Sequence, residues 1–180
     1  MSGGLRRFLD RLADRDVPSD FAGELTDDER VLGVATLPEG GYLVATSRGL
    51  WLPDGDGARL VGWHLISKAT WGQNMLTVIE AEQTGVVGGA VLLADLPARR
   101  LRLRRPGRVP EVVHARVTGS IRSSHHRDLP GGGAWVVQRS VSGQDGFVLQ
   151  VRADPGTDWD AVRSLAANVA EQVGRIKRAD

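Results

Sequence analysis

The chain contains no cysteine, which excludes disulfide bonds, thiolate metal sites and cysteine nucleophiles. This absence is typical of proteins from a reducing compartment, so we expect a cytoplasmic location. Long hydrophobic runs are missing as well, because no stretch approaches the roughly 20 apolar residues of a membrane-spanning helix. Early in the sequence, Arg6, Arg7 and Asp10 interrupt the apolar residues, and we therefore expect no export signal.

Neither sign of charge is in clear excess, because 23 basic and 22 acidic side chains give a net charge of +1. Such a chain has no overall field that would attract nucleic acid or another polyanion, and we expect no nucleic-acid partner. Any electrostatic function must therefore depend on a local cluster of charge. The length of 180 residues is enough for one domain that buries roughly two thirds of the surface of its unfolded chain.

Short strand patterns separated by turn residues occupy residues 28–104. Alternating apolar residues between turns that contain Gly, Asn or Asp are typical of β-strands. The strongest hairpin signal is Asp54-Gly55-Asp56-Gly57, because glycine adopts positive φ without strain. The predicted strands are residues 31–37, 42–46, 50–53, 59–71 (as one bent strand or two), 75–82, 90–93 and 99–104.

Apolar residues recur at helical spacing in two shorter segments and one long one. The first segment predicts a short amphipathic helix before an acidic connector, and its apolar residues are Leu5, Phe8, Leu9 and Leu12. The second predicts a helix over residues 110–123, and its apolar residues are Val113, Val117 and Ile121.

The long segment predicts a C-terminal helix with Thr157 as its N-cap. Its apolar residues are Trp159, Val162, Ala166, Val169, Val173 and Ile176. Core packing is the simplest interpretation of this stripe, and a coiled-coil seam for a partner is the alternative. A hairpin is predicted before this helix, with strands over residues 134–141 and 146–152.

The order of about seven strands followed by a helix resembles that of a pleckstrin homology (PH) barrel. Three segments are similar to strands of bacterial PH-like domains: residues 28–32, 43–50 and 61–67. The first is acidic and apolar, the second reaches a Thr before a tight turn, and the third carries Trp and Ile. The whole chain also resembles an uncharacterised family of actinobacterial proteins, with an Arg-bearing strand like residues 136–139 before a C-terminal helix.

We therefore expect an α+β fold: a PH-like β-barrel or split barrel with a closing helix, plus a C-terminal β-hairpin and a long amphipathic helix. Residues 1–24 would form the N-terminal amphipathic helix and acidic connector. Residues 25–124 would form the PH-like barrel with its closing helix. Residues 125–180 would form the hairpin and the helix, packed on the same domain.

The resemblance implies a binding or scaffold module and supplies no catalytic residues. In eukaryotic PH domains the first hairpin often carries the basic residues that hold phosphoinositide head groups. The corresponding hairpin, residues 36–42, contains Glu39 and no basic residue. This departure argues against the usual head-group pocket, and we expect neither enzymatic activity nor a cofactor.

Arginine is concentrated in one short segment without an acidic residue, which contains Arg99, Arg100, Arg102, Arg104, Arg105 and Arg108. On a strand, alternate residues share a face at intervals of about 7 Å. This spacing predicts an outward-facing arginine ridge, defined as Arg100, Arg102 and Arg104, while Leu101 and Leu103 face the core. Guanidinium groups bind phosphate and carboxylate well. The candidate binding residues for an anion or partner are Arg100, Arg102, Arg104 and Arg108.

Two structural interpretations of the arginine segment compete with a binding role. A charged edge strand can serve only to block aggregation between sheets. Alternatively, the acidic connector could pack on the arginines and neutralise them, through Asp20, Glu24, Asp27 and Asp28.

Other polar clusters are weaker candidates. Adjacent His125 and His126 would lie on opposite faces of a strand, so with Asp128 they form a poor metal site, and we expect no metal. Serines near these histidines would allow a hydrolase triad, but the sequence has no nucleophile elbow, and we do not expect one. They are Ser120, Ser123 and Ser124. Most of the five Trp should anchor the core, and one or two at a rim would mark an interface.

From the sequence we expect a non-catalytic interaction module, which recognises a protein partner or an anionic surface through the arginine ridge or the open edge of the barrel. The alternative is peripheral association with an anionic membrane, to which the N-terminal amphipathic helix would contribute. A small-molecule-binding protein or an enzyme is less favoured, because the sequence shows no cluster of titratable residues in one motif. The identity of the partner and the oligomeric state do not follow from the sequence.

Overall fold

The computed structural model describes residues 16–179, which form eleven β-strands and two α-helices. The first eight strands are β1 Val31–Thr36, β2 Tyr42–Thr46, β3 Gly49–Asp54, β4 Gly57–Gly62, β5 Ile66–Gly72, β6 Met75–Val87, β7 Ala90–Asp95 and β8 Arg99–Arg102. The remaining elements are α1 Val109–Ser120, β9 Ile121–Leu129, β10 Gly132–Arg139, β11 Val148–Ala153 and α2 Trp159–Ala179. The N-terminal helix that the sequence predicts lies outside the described residues.

The first sheet is an antiparallel meander in the order β1-β2-β3-β4. The β3–β4 hairpin confirms the strongest turn signal of the sequence, since Asp54 pairs with Gly57 and Gly55 has a φ of 56°. A short 3₁₀ turn, Trp63–Leu65, then separates β4 from β5. The segment predicted as one bent strand or two is therefore two strands.

The second sheet has the order β5-β6-β7-β11-β10-β9, with β8 paired to β6 beside this path. The long strand β6 joins its two parts: Met75–Val78 pair with β8, and Ala81–Val87 pair with β7. The pairing of β7 with β11 is parallel, and the other pairings are antiparallel. The chain is α+β, with a curled mixed half-barrel sheet and a long C-terminal helix, an architecture compatible with a split barrel.

The predicted end of the helix over residues 110–123 is wrong. Helix α1 ends at Ser120, and the predicted last turn is instead the start of β9. Strand β9 pairs with β10 from Ile121 to Leu129, and these ladder hydrogen bonds outweigh a short helical period. The predicted C-terminal hairpin is confirmed by the pairing of β10 with β11, and both strands belong to a sheet that also includes β9 and β7.

The larger hydrophobic core lies between the first sheet, the strands β5, β6 and β8, and helix α1. Its largest fully buried side chains include Leu43, Leu50, Leu52, Ile66 and Leu76. Helix α1 covers this core with Val109, Val112, Val113 and Val117. Each such side chain contributes about 1.5–3 kcal/mol when it is fully removed from water, so α1 is held by packing more than by its own propensity.

The smaller core lies where α2 packs on the second sheet. Val162 and Ala166 of α2 are fully buried against residues of β7, β10 and β11. Ile176, which the sequence assigned to the same stripe, is 65% exposed. The stripe is therefore core packing in the first half of the helix, and the last turns extend beyond the tightly packed part of the sheet.

The start of α2 is fixed differently from the prediction. The hydroxyl of Thr157 accepts a hydrogen bond from the Gly133 N–H at 3.0 Å and donates one to the Gly133 carbonyl at 2.8 Å. Thr157 thus ties the helix to β10 and is not the N-cap. The side chain of Asp158 accepts from the Asp160 N–H at 3.2 Å, which is the capping contact.

Candidate functional site

The arginine ridge begins on β8, an edge strand whose partner is β6. Arg100 lies opposite Thr77 and Arg102 lies opposite Met75, and both arginine side chains are exposed. Leu101 packs against the larger core and Leu103 is buried. The predicted alternation is therefore confirmed for Arg100 and Arg102.

The third residue of the arginine ridge does not lie on this strand. Strand β8 ends at Arg102, and the backbone N–H of Arg104 donates to the Thr36 carbonyl of β1 at 2.8 Å. The chain has therefore turned towards the first sheet, and a straight row of three arginines is a wrong prediction. Arg108 lies at the start of α1, where its Nη2 is 3.5 Å from Oε1 of Glu111.

The acidic connector does not neutralise the arginine ridge in the described part of the chain. Asp20 accepts a hydrogen bond from the Tyr42 hydroxyl at 2.8 Å, and this contact raises the pKa of Tyr42. Asp28 instead pairs with Arg48, and the hydrogen bond from Arg48 lowers the pKa of Asp28. Within residues 16–179, the arginine ridge forms no ion pair.

One arginine of the cluster points inwards and has a structural role. Nη1 of Arg99 lies 3.7 Å from Oε1 of the buried Glu80, and its Nη2 donates to the Pro53 carbonyl at 2.9 Å. Glu80 also pairs with Arg59 of β4. This network joins the first sheet to the second. Local sequence patterns do not predict it, because its members are distant along the chain.

The most distinctive surface is a groove between β5 and α1. Strand β5 lies at one end of the second sheet, and β6 is its one strand partner among the described residues. The groove has a volume of about 720 Å³. Most of its lining is apolar: Ala69, Trp71, Leu76, Pro106, Pro110 and Val113. We call it the β5 groove.

Trp71 is the exposed aromatic side chain of the β5 groove. It is 42% exposed, although an indole buries a large apolar area when it is covered. By contrast, Trp63 is buried and donates to the Thr46 carbonyl at 3.1 Å. The remaining Trp residues are half-buried. Trp63 belongs to the larger core and Trp159 packs against the smaller core, so the expectation that most Trp anchor the core is met only in part. The Trp at a rim is Trp71.

Positive charge borders one end of the β5 groove. Arg105 and Arg108 directly flank Pro106 and Gly107, which line the groove, and both arginine side chains are exposed. The carboxylate in the lining belongs to Glu111, and Arg108 pairs with it. The border of the groove therefore favours an acidic ligand over a basic one.

The histidine pair lies on β9, where His125 is opposite Val136 and His126 is opposite Trp135. Nε2 of His126 is 2.7 Å from Oδ2 of Asp154, and its Nδ1 is 3.6 Å from Oδ1 of Asp128. No group of three His, Asp or Glu side chains within residues 16–179 is arranged to hold a metal ion.

The serines near these histidines do not form a triad. Ser120 donates its hydroxyl proton to the Val117 carbonyl at 2.8 Å and accepts hydrogen bonds from Arg139. Ser123 and Ser124 lie on β9, opposite Gln138 and Val137. In the described part of the chain, no hydrogen bond joins a serine to a histidine.

Comparison with known proteins finds no family model, no curated protein and no solved structure that matches this chain. The helices of residues 16–179 include none that combines the length and apolar character needed to cross a membrane.

The sequence contained only a partial signal for the β5 groove. The strand pattern suggests an open barrel edge as a possible binding surface, and one or two Trp at a rim would mark an interface. The rest of the groove depends on non-local packing. Pro106, Pro110 and Val113 come from a segment about 40 residues after Trp71, and only the packing of α1 beside β5 places them near Trp71.

Proposed function

We propose that this protein is a non-catalytic interaction module that binds an extended, acidic-apolar segment of a protein partner in the β5 groove. The observation that carries the proposal is the open edge of β5 beside an apolar groove that contains the exposed Trp71. A cytoplasmic location, expected from the lack of cysteine, belongs to the same proposal.

The backbone of β5 provides the first half of the argument. Alternate N–H and C=O groups of a strand point to its two edges, and β6 occupies one edge of β5. An extended peptide can pair with the other edge, as in β-strand addition. The end of β5, Thr70-Trp71-Gly72, has no charged side chain or proline of the kind that protects edge strands. One exposed charge, Lys68, lies earlier on β5, whereas β8 carries Arg100 and Arg102 within four residues.

The side chains of the β5 groove provide the second half. Trp71 is exposed, and the half-buried Ala69 and Pro110 extend the apolar surface for one or two anchor residues of the peptide. Trp is frequent among residues that dominate binding energy. Arg105 and Arg108 at one end favour Asp or Glu beside the anchor. The partner is therefore described by chemistry: an extended segment with an apolar anchor and acidic neighbours.

The arrangement of elements supports the resemblance to PH-like domains. The four-stranded sheet β1–β4, the three strands β5, β6 and β8, and helix α1 surround the larger core. The resemblance implies a binding or scaffold module, which is the same class of function that the β5 groove favours.

A selection from a random peptide library tests the proposal. Peptides of about ten residues are long enough, when extended, to span the seven residues of β5. The expected consensus has an aromatic or aliphatic residue next to Asp or Glu. The change Trp71→Ala should weaken the selected peptides about tenfold or more, which is the loss typical of a central aromatic contact.

Phe147→Ala is the matched control, because Phe147 is 43% exposed and does not line the β5 groove. This variant should bind the selected peptides as the wild type does. Equal binding of the peptides to wild type and Trp71→Ala would contradict the proposed site. Arg105→Glu should weaken acidic peptides more at low salt than at high salt, because screening removes the contribution of exposed charge.

A second candidate function is association with an anionic membrane surface. The observation that favours it is that Arg100, Arg102 and Arg104 are exposed and form no ion pair within residues 16–179. Flotation with anionic and neutral vesicles should then show salt-sensitive binding to anionic vesicles that is lost in Arg100→Glu/Arg102→Glu/Arg104→Glu. The absence of vesicle binding in the wild type would leave the β5 groove as the functional surface.

A further inference from the structure

A small polar cavity lies on the concave side of the second sheet, separate from the β5 groove. Its volume is about 160 Å³, which equals the share of about five water molecules in the liquid. It is enclosed by β5 and β6 on one side and by β7, β9, β10 and β11 on the other. The polar residues of its lining are His64, Ser67, Ser124, Arg139, Gln150 and Arg152.

The cavity contains more positive than negative charge. Arg139 is only 3% exposed, and no carboxylate within residues 16–179 pairs with it. Nε of Arg152 lies 3.6 Å from Oδ1 of Asp95. Burial lowers the pKa of His64, so its imidazole is neutral at pH 7 and adds no charge. Two guanidinium groups therefore face one carboxylate.

This excess of charge is energetically unfavourable without a counter-ion. Burial, followed by the charge of Arg152, lowers the pKa of Arg139 to about 10, and the side chain remains charged at neutral pH. A buried charge without an opposite charge is costly. A small anion in the cavity would offset that cost.

The hydrogen-bond donors of the cavity come from residues other than Arg139. The N–H groups of Arg139 already donate to backbone carbonyls and to Ser120. Arg152, by contrast, makes only the long contact with Asp95 among the described residues. Gln150 uses one amide proton for the His64 carbonyl at 2.9 Å, which leaves its second. A guanidinium with free donors binds carboxylate and phosphate in a two-point geometry.

We propose that this cavity binds a small oxyanion, phosphate or a compact carboxylate, with Arg152 and Gln150 as its hydrogen-bond donors and Arg139 as an additional positive charge. The site is independent of the β5 groove. Its volume of about 160 Å³ suits a free small anion or the terminal anionic group of a slender molecule.

Nuclear magnetic resonance of the Arg Nε–H and Gln side-chain amide groups tests this site directly. Inorganic phosphate, acetate and chloride are titrated separately into the full chain at constant ionic strength. We expect saturable shifts of the Arg152 Nε–H and Gln150 amide signals with phosphate or acetate, and the tighter of the two identifies the oxyanion. Arg152→Gln should weaken binding about tenfold or more, as the loss of a charge-assisted hydrogen bond does.

Two further variants separate binding from folding. Asp95→Asn removes the carboxylate that competes for Arg152, and it should strengthen anion binding several-fold, the opposite sign to Arg152→Gln. Arg175→Gln removes a surface arginine that pairs with Glu171 on α2, and it should leave the affinity unchanged. The proposal is overturned if neither oxyanion gives a saturable shift, if chloride binds equally well, or if Arg152→Gln and Asp95→Asn change the affinity in the same direction.

Discussion

The carboxylate of Glu80 on β6 lies 2.9 Å from Nη2 of Arg59 on β4, so a single ion pair joins the two sheets around the larger core. Glu80 is buried, whereas the Arg59 side chain is nearly half-exposed. The second arginine, Arg99, approaches the same carboxylate from β8. These contacts join β4 to β6, two strands that do not pair with each other in the described part of the chain.

Glu80→Gln should therefore destabilise the protein. A buried charge that loses its partner costs 3–5 kcal/mol in an interior site, and the exposure of Arg59 reduces the expected loss to about 2 kcal/mol. Urea unfolding followed by circular dichroism measures it. Glu171→Gln, which breaks an exposed pair with Arg175 on α2, is the control and should cost no more than about 0.5 kcal/mol. Equal losses in both variants would show that the Glu80 network does not stabilise the contact between the two sheets.

Arg139→Lys should be strongly destabilising although it keeps the charge. The Arg139 guanidinium donates to Ile66 O at 2.8 Å, Trp63 O at 2.9 Å and Ser120 Oγ at 3.0 Å. It thereby joins β10 to the start of β5, to the 3₁₀ turn and to the end of α1. A lysine ammonium cannot reach all of these acceptors, and each buried carbonyl without a donor costs about 1–3 kcal/mol.

Arg163→Lys is the control for that comparison, because Arg163 pairs with Asp160 on the exposed face of α2. We expect a loss of about 3 kcal/mol for Arg139→Lys and almost none for Arg163→Lys, both from urea unfolding. If Arg139→Lys has the stability of the wild type, the positive charge alone is sufficient at this position and the multiple hydrogen bonds of the guanidinium are not needed.

Stability should fall as the pH decreases below 6.5, the ordinary pKa of histidine, in part because of His64. Burial lowers the pKa of His64 in the folded protein. Between that lowered value and 6.5 the unfolded chain binds more protons than the folded one, so protons favour unfolding. Thermal unfolding between pH 7.5 and pH 5.5 should show this decline, and His64→Gln should make it shallower. If His64→Gln and wild type lose stability in parallel over this pH range, other groups cause the decline and His64 has no part in it.

The two ends of α2 should respond differently to truncation of an apolar side chain. Val162 is fully buried in the smaller core, whereas Ile176 is 65% exposed. Val162→Ala removes buried methyl groups and should cost about 1–2 kcal/mol. Ile176→Ala should change the free energy of unfolding by less than about 0.5 kcal/mol. Similar losses in both variants would indicate that Ile176 is covered in solution, as in the coiled-coil interpretation of the helix.

Local patterns predicted the parts of the fold that depend on local physics. The Asp54–Gly57 turn follows from glycine conformation, and the outward positions of Arg100 and Arg102 follow from strand alternation. The predicted end of α1 is wrong because Ile121 continues the helical period of Val117. Pairing with β10, a strand that lies further along the chain, makes Ile121 the first residue of β9 instead.

Non-local contacts also explain why the candidate sites were only partly predicted. The parallel pairing of β7 with β11 creates the concave sheet that encloses Arg139 and Arg152, and it joins residues about 60 positions apart along the chain. The β5 groove likewise requires α1 to pack beside β5. The sequence identifies basic and aromatic residues as candidates for binding. Only the fold topology determines which of them lie close together.

The central claim is that the edge of β5 binds an extended peptide. Amide hydrogen exchange of the protein, measured with and without a library-selected acidic-apolar peptide, tests this claim most directly. We predict that edge-facing amides within residues 68–72 gain protection, because a paired edge no longer exchanges freely. Trp71→Ala should need about tenfold more peptide for the same gain. Protection that appears at Arg100 and Arg102 instead, or no change in β5 at saturating peptide, would contradict the account.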